Sequence, residues 1–321
     1  MKRACMLIAL CIVIYSFAFA NCAKDAPKAN GAITVTATIF SFYDFTRAIA
    51  GGKANLAMLL PPGAESHSFE PTPRDIIAFQ NSDVFIYNGG KSDAWVDRIL
   101  DSMDKRNMKV IRLMDTVDVV EEEIVEGMED GEAEEALESL GVEVGAEYDE
   151  HIWTSPQNAV WIVRAITDAL CEKDRANAGF YQQNAASYIV KLNELDAAFQ
   201  AVVNDAKRKT IVFGDRFPFR YFADAYGLSY FAAFPGCSTE TEPSAATVAF
   251  LIDKIKAEKI PVVFHIELSN ERMANAIAAE TGAKKRPLHA VHNISKRDFD
   301  RGATYLELMT RNVDALREAL Q

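Results

Sequence analysis

The chain has 321 residues, 49% of them hydrophobic and 25% charged, enough for two domains of ordinary size with a sizeable core. Its formal charge of −12 is local: residues 121–150 hold fourteen Asp or Glu and no Lys or Arg, which leaves the rest of the chain at +2. No basic face or nucleic-acid motif appears, and of the five Cys only Cys171 and Cys237 lie beyond the first 22 residues, far apart and without CxxC spacing, too few for a disulfide framework or a structural zinc site.

Lys2 and Arg3 precede an apolar run from Ala4 to Ala20, which ends in Ala18-Phe19-Ala20. A positive start, an apolar middle and small residues at the end predict a secretory signal over residues 1–22. The competing reading, a transmembrane anchor, needs about 20 apolar residues, and the run is short for that. Phe19-Ala20-Asn21-Cys22 resembles a bacterial lipobox, with Phe19 where Leu is usual and Asn21 where Gly or Ala is usual. Lipidation at Cys22 is the expectation, with plain secretion as the alternative. The polar residues 23–30 suit a tether. Of the remaining thiols, Cys171 and Cys237 are expected to stay separate and buried.

From Ile33 onward, short β-rich runs alternate with helical patterns. Strands are predicted at 33–38, 56–60, 83–88 and 110–113. Helices are predicted at 42–50, from Thr72-Pro73-Arg74-Asp75 onward, and at 94–103. Gly51-Gly52 ends the first helix. Thr72 with Asp75 makes a capping-box pattern around Pro73. This alternation predicts a parallel sheet covered by helices. The acidic segment 121–150 reads as a solvated surface loop that could weakly attract cations. A helix over 156–172 follows.

Tyr181, Ala185, Tyr188, Leu192, Leu195, Phe199 and Val202 are spaced 4, 3, 4, 3, 4 and 3, one continuous helical stripe without Gly or Pro. A helix over 177–207 would run about 45 Å. Its length and mid-chain position favour a strut between two domains over a surface helix. Alternation then resumes, with strands at 210–214, 229–233, 261–266 and 288–292 and helices at 219–226, 245–256, 271–281 and 304–320. The predicted fold is therefore α/β: two (βα) lobes with parallel sheets, 31–176 and 208–321, joined by one long rigid helix.

The chain holds five His. His67 sits in a loop between a strand and a capped helix, and His151 lies just before a helix. His265 and His292 fall near strand ends in the second lobe, and Asp215 ends a third strand there. Ligands of open α/β sheets bind at such strand ends. Imidazoles plus one carboxylate suit Zn2+ or a similar ion. Scattered structural histidines are the alternative. His289, three residues before His292 on a predicted strand, faces the other way and reads as structural.

The segment Pro62–Asp75, with its Pro-Gly-x-x-x-His-x-Phe-Glu-Pro-Thr-Pro-x-Asp pattern, resembles the first metal loop of the cluster A-I solute-binding proteins. These are the zinc- and manganese-specific components of bacterial ABC importers. Asp149-Glu150-His151-Ile152-Trp153 resembles their second metal loop. Arg220–Leu228, Glu280–Lys284 and Tyr305–Asn312 are similar to their later landmarks. The likeness covers about 31–321. It implies two lobes on a long helix, one metal in the interlobe cleft, a permease and ATPase as partners, an exported and membrane-tethered monomer, and no enzymatic activity. It also implies His67 and His151 as the first two ligands. Asp215 falls at the third position when read along the strand, whereas counting back from Tyr221-Phe222 puts Arg216 there. Asp215 is favoured, with His265 as replacement, supplement or orienting group. His292 fills the final, usually acidic, position. That makes the site nitrogen-rich and moves the expected cargo toward Zn2+ and away from Mn2+. A surface adhesin and a zinc hydrolase are the alternative functions. The hydrolase would need an open coordination position and a general base, and no His-Glu-x-x-His occurs.

Overall fold

The computed structural model describes residues 31–65, 69–103, 105, 107–128, 147–238 and 243–321. The signal and tether, Cys22, His67 and the middle of the acidic segment lie outside the described residues. Among those described, no helix is long and apolar enough to cross a membrane.

The first lobe is a four-stranded parallel sheet, β1 (Thr34–Ala37), β2 (Asn55–Met58), β3 (Val84–Tyr87) and β4 (Lys109–Arg112), in the order β2-β1-β3-β4. All four residues of β3 are buried, as suits a central strand covered on both faces. Helices α1 (Phe40–Ala50), α2 (Pro73–Gln80), α3 (Ala94–Ser102) and α4 (Pro156–Lys173) cover it. Gly51 ends α1 in the left-handed conformation, and Thr72 and Asp75 close the reciprocal capping box on α2.

The strut is α5 (Ala178–Asn204), 27 residues and about 40 Å long. The seven stripe residues picked out by spacing are all buried. The stripe touches both lobes. Tyr188 meets Phe45 of α1 at 6.0 Å between ring centroids. Phe199 meets Phe222 at 4.8 Å, on helix α6 (Arg220–Tyr226) of the second lobe.

The second lobe repeats the plan. Strands β5 (Thr210–Phe217), β6 (Ser229–Pro235), β7 (Val262–His265) and β8 (Lys284–Pro287) lie in the order β6-β5-β7-β8, all parallel. Helices α7 (Ala245–Glu258), α8 (Arg272–Thr281), α9 (Lys296–Asp300) and α10 (Tyr305–Leu320) complete it.

Two local differences from the sequence reading matter for the site. The last strand is at Lys284–Pro287, not 288–292. Its charged Lys-Lys-Arg pattern is that of an edge strand, which keeps other chains from pairing with it. Residues 288–294 instead form a largely buried loop that is hydrogen-bonded to the first lobe. Strand β5 also runs on to Phe217 and carries a β-bulge: Phe213 pairs with Ala232 but Arg216 pairs with Phe234. One extra residue on β5 is thus absorbed at Gly214-Asp215. Gly214 is needed there, since a Cβ would lie 2.7 Å from Ala274 Cα of α8.

The two roots of the acidic segment are partly exposed and also make specific contacts. Glu121 and Tyr148 form an antiparallel bridge. Glu122 accepts the Cys237 N–H at 2.9 Å, and Glu123 accepts the Tyr230 hydroxyl at 2.9 Å and pairs with Arg220, all on the second lobe. Cys171 and Cys237 are both unpaired thiols.

Candidate metal centre

His151 opens a single 3-10 turn, Ile152–Thr154, just ahead of α4, and is 1% exposed. Asp149 fixes it twice: Oδ1 accepts the His151 backbone N–H at 2.8 Å and lies 3.2 Å from Nδ1. A carboxylate oxygen accepts only, so in the neutral ring the hydrogen sits on Nδ1. Burial alone would lower the pKa of this imidazole, but the charges of Asp149, Glu150 and Glu122 outweigh it and raise it. Tyr221, from the Arg220–Leu228 landmark, donates its hydroxyl to Asp149 O at 2.8 Å and so ties the loop to the second lobe. Gly236 lets β6 approach: a Cβ there would lie 3.1 Å from the His151 ring.

His292 comes from the buried loop after β8. Its ring lies 5.7 Å from that of His151 and 4.8 Å from that of Trp153. The loop is bolted to the first lobe. Trp153 Nε1 donates to Ala290 O at 2.7 Å, Phe40 N to His292 O at 3.1 Å, and Asn293 Nδ2 to both Pro61 O and Ala64 O at 2.8 Å. Val291 sits at φ +59, an unusual backbone for a β-branched residue. Glu267 sustains that turn: its two oxygens accept the N–H groups of Ala290 (2.7 Å) and His292 (3.0 Å). Burial pushes the Glu267 carboxyl up to about 7 even though these donors pull it down. Asn312, a landmark residue, clamps the loop from behind through the N–H and carbonyl of His289, both at 2.8 Å. Burial pushes His289 itself down to about 4, which fits a neutral structural imidazole.

His151 and His292 face one interlobe cavity of about 30 Å³, which Glu65, Arg216 and Glu267 also line. That is room for one ion or one water, not for a sugar or an amino acid. A larger groove of about 470 Å³ lies elsewhere, between α1, the strut and the loop before α10. It is open and lacks imidazoles.

The other two candidates are not brought to the cavity wall. The bulge turns Asp215 toward β7, where Oδ2 accepts the Ile266 N–H at 3.3 Å and Oδ1 that of Arg216 at 2.9 Å. His265 is 7% exposed, with Nδ1 3.0 Å from Ile266 O. Arg216 faces the cavity instead. Among the described residues no three His, Cys, Asp or Glu side chains cluster as a metal set. His67 lies outside the described residues, two positions after the lining residue Glu65 in sequence. Sequence reasoning did not single out Glu65 or assign Glu267 its cradle. The signal available for Glu267 was an acid just past the buried strand Val262–His265.

Two α/β lobes with parallel sheets on one strut, and an imidazole-lined cavity at the junction of the lobes, have the architecture of a solute-binding protein. The chain belongs to the ZnuA family, described as zinc-uptake complex component A, periplasmic, whose profile matches residues 35–319. The zinc-binding lipoprotein AdcA of Streptococcus pneumoniae is 32% identical over 319 residues, covering 99% of this chain and 61% of that protein. The chain thus spans about three-fifths of the length of that streptococcal relative. The high-affinity zinc uptake system protein ZnuA of Bacillus subtilis is 30% identical over 315 residues, covering 98% of this chain and 96% of that one. The crystal structure of the Zn(II)-bound ZnuA-like domain of S. pneumoniae AdcA superposes with a TM-score of 0.74 at 30% identity, covering 90% of this chain and 99% of that domain.

Proposed function

We propose that this protein captures Zn2+ outside the cytoplasm and hands it to the permease of an ABC importer driven by its ATPase subunit. The observation that carries this is the cavity of about 30 Å³ with His151 and His292 on its wall, the size of an ion and not of an organic solute. The names of the AdcA and ZnuA relatives support zinc as the cargo. The donors are the imidazoles of His67, His151 and His292. A nitrogen-rich set favours Zn2+ over Mn2+. The protein works as a monomer by binding and release rather than by catalysis. Export through residues 1–22 and a lipid on Cys22 would keep it beside its permease.

The test is a calorimetric titration of the purified protein with Zn2+ and with Mn2+. Zinc should bind more tightly than manganese, and His151→Ala or His67→Ala should weaken zinc at least about 100-fold, since each removes a donor and the fixed geometry around it. Equal, weak zinc binding by the wild type and by both variants would sink the reading.

A further inference from the structure

The cavity that should receive a cation already has one on its wall. Arg216 lines it, with a side chain only 12% exposed. The guanidinium reaches across the lobes: Nη2 is 3.1 Å from Glu65 Oε1, and Nη1 donates to Ser238 O at 3.2 Å. A guanidinium stays protonated and has no lone pair to give a metal. The β5 bulge is what aims it there, because the extra residue turns Asp215 onto the Ile266 N–H and brings Arg216 to the cleft.

We propose that Arg216 is a displaceable latch that competes with the cargo: in the ion-free protein it closes the cavity by pairing with Glu65, and a dication enters by taking Glu65 from it. This rests on the metal-capture reading above. The physical argument has two parts. A dication and a guanidinium cannot share so small a space cheaply, because like charges a few ångströms apart repel strongly where one of them is mostly buried. Either the arginine withdraws or the carboxylate changes partner when the ion arrives. The second part concerns what can move. Ala290, His292 and Asn293 are tied to the first lobe through backbone groups at 2.7–3.1 Å. The Arg216–Glu65 contact is made by side chains alone, and Glu65 is 41% exposed, so it is the wall element that can open at small cost. The latch makes the site discriminate by charge. A monovalent ion gains too little from Glu65 and the imidazoles to displace the arginine, whereas a dication gains enough.

The experiment compares zinc titrations of the wild type, R216Q, R216K and E65Q, by calorimetry, with thermal melts to establish folding. R216Q removes the competing charge and should bind zinc at least about tenfold more tightly than wild type. R216K keeps a positive charge and should stay as weak as wild type, and E65Q should bind more weakly than wild type. A side chain with a purely structural role would not separate Gln from Lys. If R216Q binds zinc no more tightly than wild type, or if R216K tightens as much as R216Q, the latch is overturned while metal capture stands. Should neither the wild type nor R216Q bind zinc at all, the capture reading falls and the latch with it. If R216Q does not fold, R216M takes its place: tighter zinc binding than wild type supports the latch, and binding no tighter than wild type overturns it.

Discussion

Oδ1 of Asp149 lies 2.8 Å from the backbone nitrogen of His151 and 3.2 Å from its Nδ1, so a single oxygen fixes both the ring and the chain that carries it. Both residues are buried. The carboxylate sets the tautomer and makes Nε2 a better donor. Asp149→Asn keeps the shape and one acceptor but loses the charge. It should weaken zinc binding by about 10- to 100-fold with little change in fold, and Asp149→Ala should weaken it further. Calorimetry alongside circular dichroism would read this out, and unchanged affinity in both variants would count against an orienting role.

Asn293 joins the two halves of the site. Its Nδ2 donates to Pro61 O and Ala64 O, and its Oδ1 accepts the Ile294 N–H at 2.9 Å. It is 2% exposed, so its partners are not rescued by bulk water. Asn293→Ala should cost about 1–3 kcal/mol of stability in urea unfolding, because buried carbonyls lose their donor. It should also weaken zinc binding, because Ala64 and Glu65 form the wall ahead of His67. Loss of stability without loss of affinity would show that the loop 61–65 is held by other means.

How much of this was legible in the sequence depends on the range of the interaction. The strut could be read from Tyr181 to Val202 because the 3.6-residue period is local and all seven stripe residues are buried on one face. The cap on α2 could be read because Thr72, Pro73 and Asp75 act within one turn. The first-lobe histidine His151 was found by its motif and stands in the cavity wall. The second lobe was harder. One bulge residue decides whether Asp215 or Arg216 faces the cleft, and nothing in the local pattern says where a bulge will form. Glu267 acts on N–H groups 23 and 25 residues away, a contact that periodicity cannot register. The edge strand Lys284–Pro287 was missed because its charges, which protect an exposed edge, look unlike a strand.

Asp93 gives the protein a pH-dependent stability. Burial pushes its carboxyl up to about 7, against the pull of the Gly89 and Asn88 N–H groups it accepts at 3.2 and 2.9 Å. The folded state therefore holds a proton that the unfolded chain, with a carboxyl near its usual value of about 4, gives up. The stability this contributes is fully present below about pH 4 and is lost as pH rises through about 7. Between those limits the ion-free protein should lose up to about 4 kcal/mol from this group, three units at 1.36 kcal/mol each. Asp93→Asn keeps an acceptor for both N–H groups and cannot ionise. Thermal melts in a chelator should show a flatter slope between pH 5 and 8 for the variant, and higher stability at pH 8. Parallel slopes for the two proteins would refute the assignment.

Trp153 provides a reporter inside the site. It is fully buried, its ring lies 4.8 Å from His292 and 5.5 Å from His151, and its Nε1 donates to Ala290 O. The other two tryptophans are placed differently: Trp95 packs on Phe69 and Phe79, and Trp161 is 54% exposed on α4. An ion that binds both imidazoles changes their charge and motion beside the indole, so zinc should alter the emission of the wild type with the midpoint found by calorimetry. Trp153→Phe keeps the aromatic packing and loses the Nε1 donor, leaving the Ala290 carbonyl unsatisfied at a cost of about 1–3 kcal/mol. It should still bind zinc, more weakly because the His292 loop loses one of its ties, and the emission change should vanish. An emission change that survives in Trp153→Phe would place the ion near Trp95 or Trp161, away from the cavity of His151 and His292.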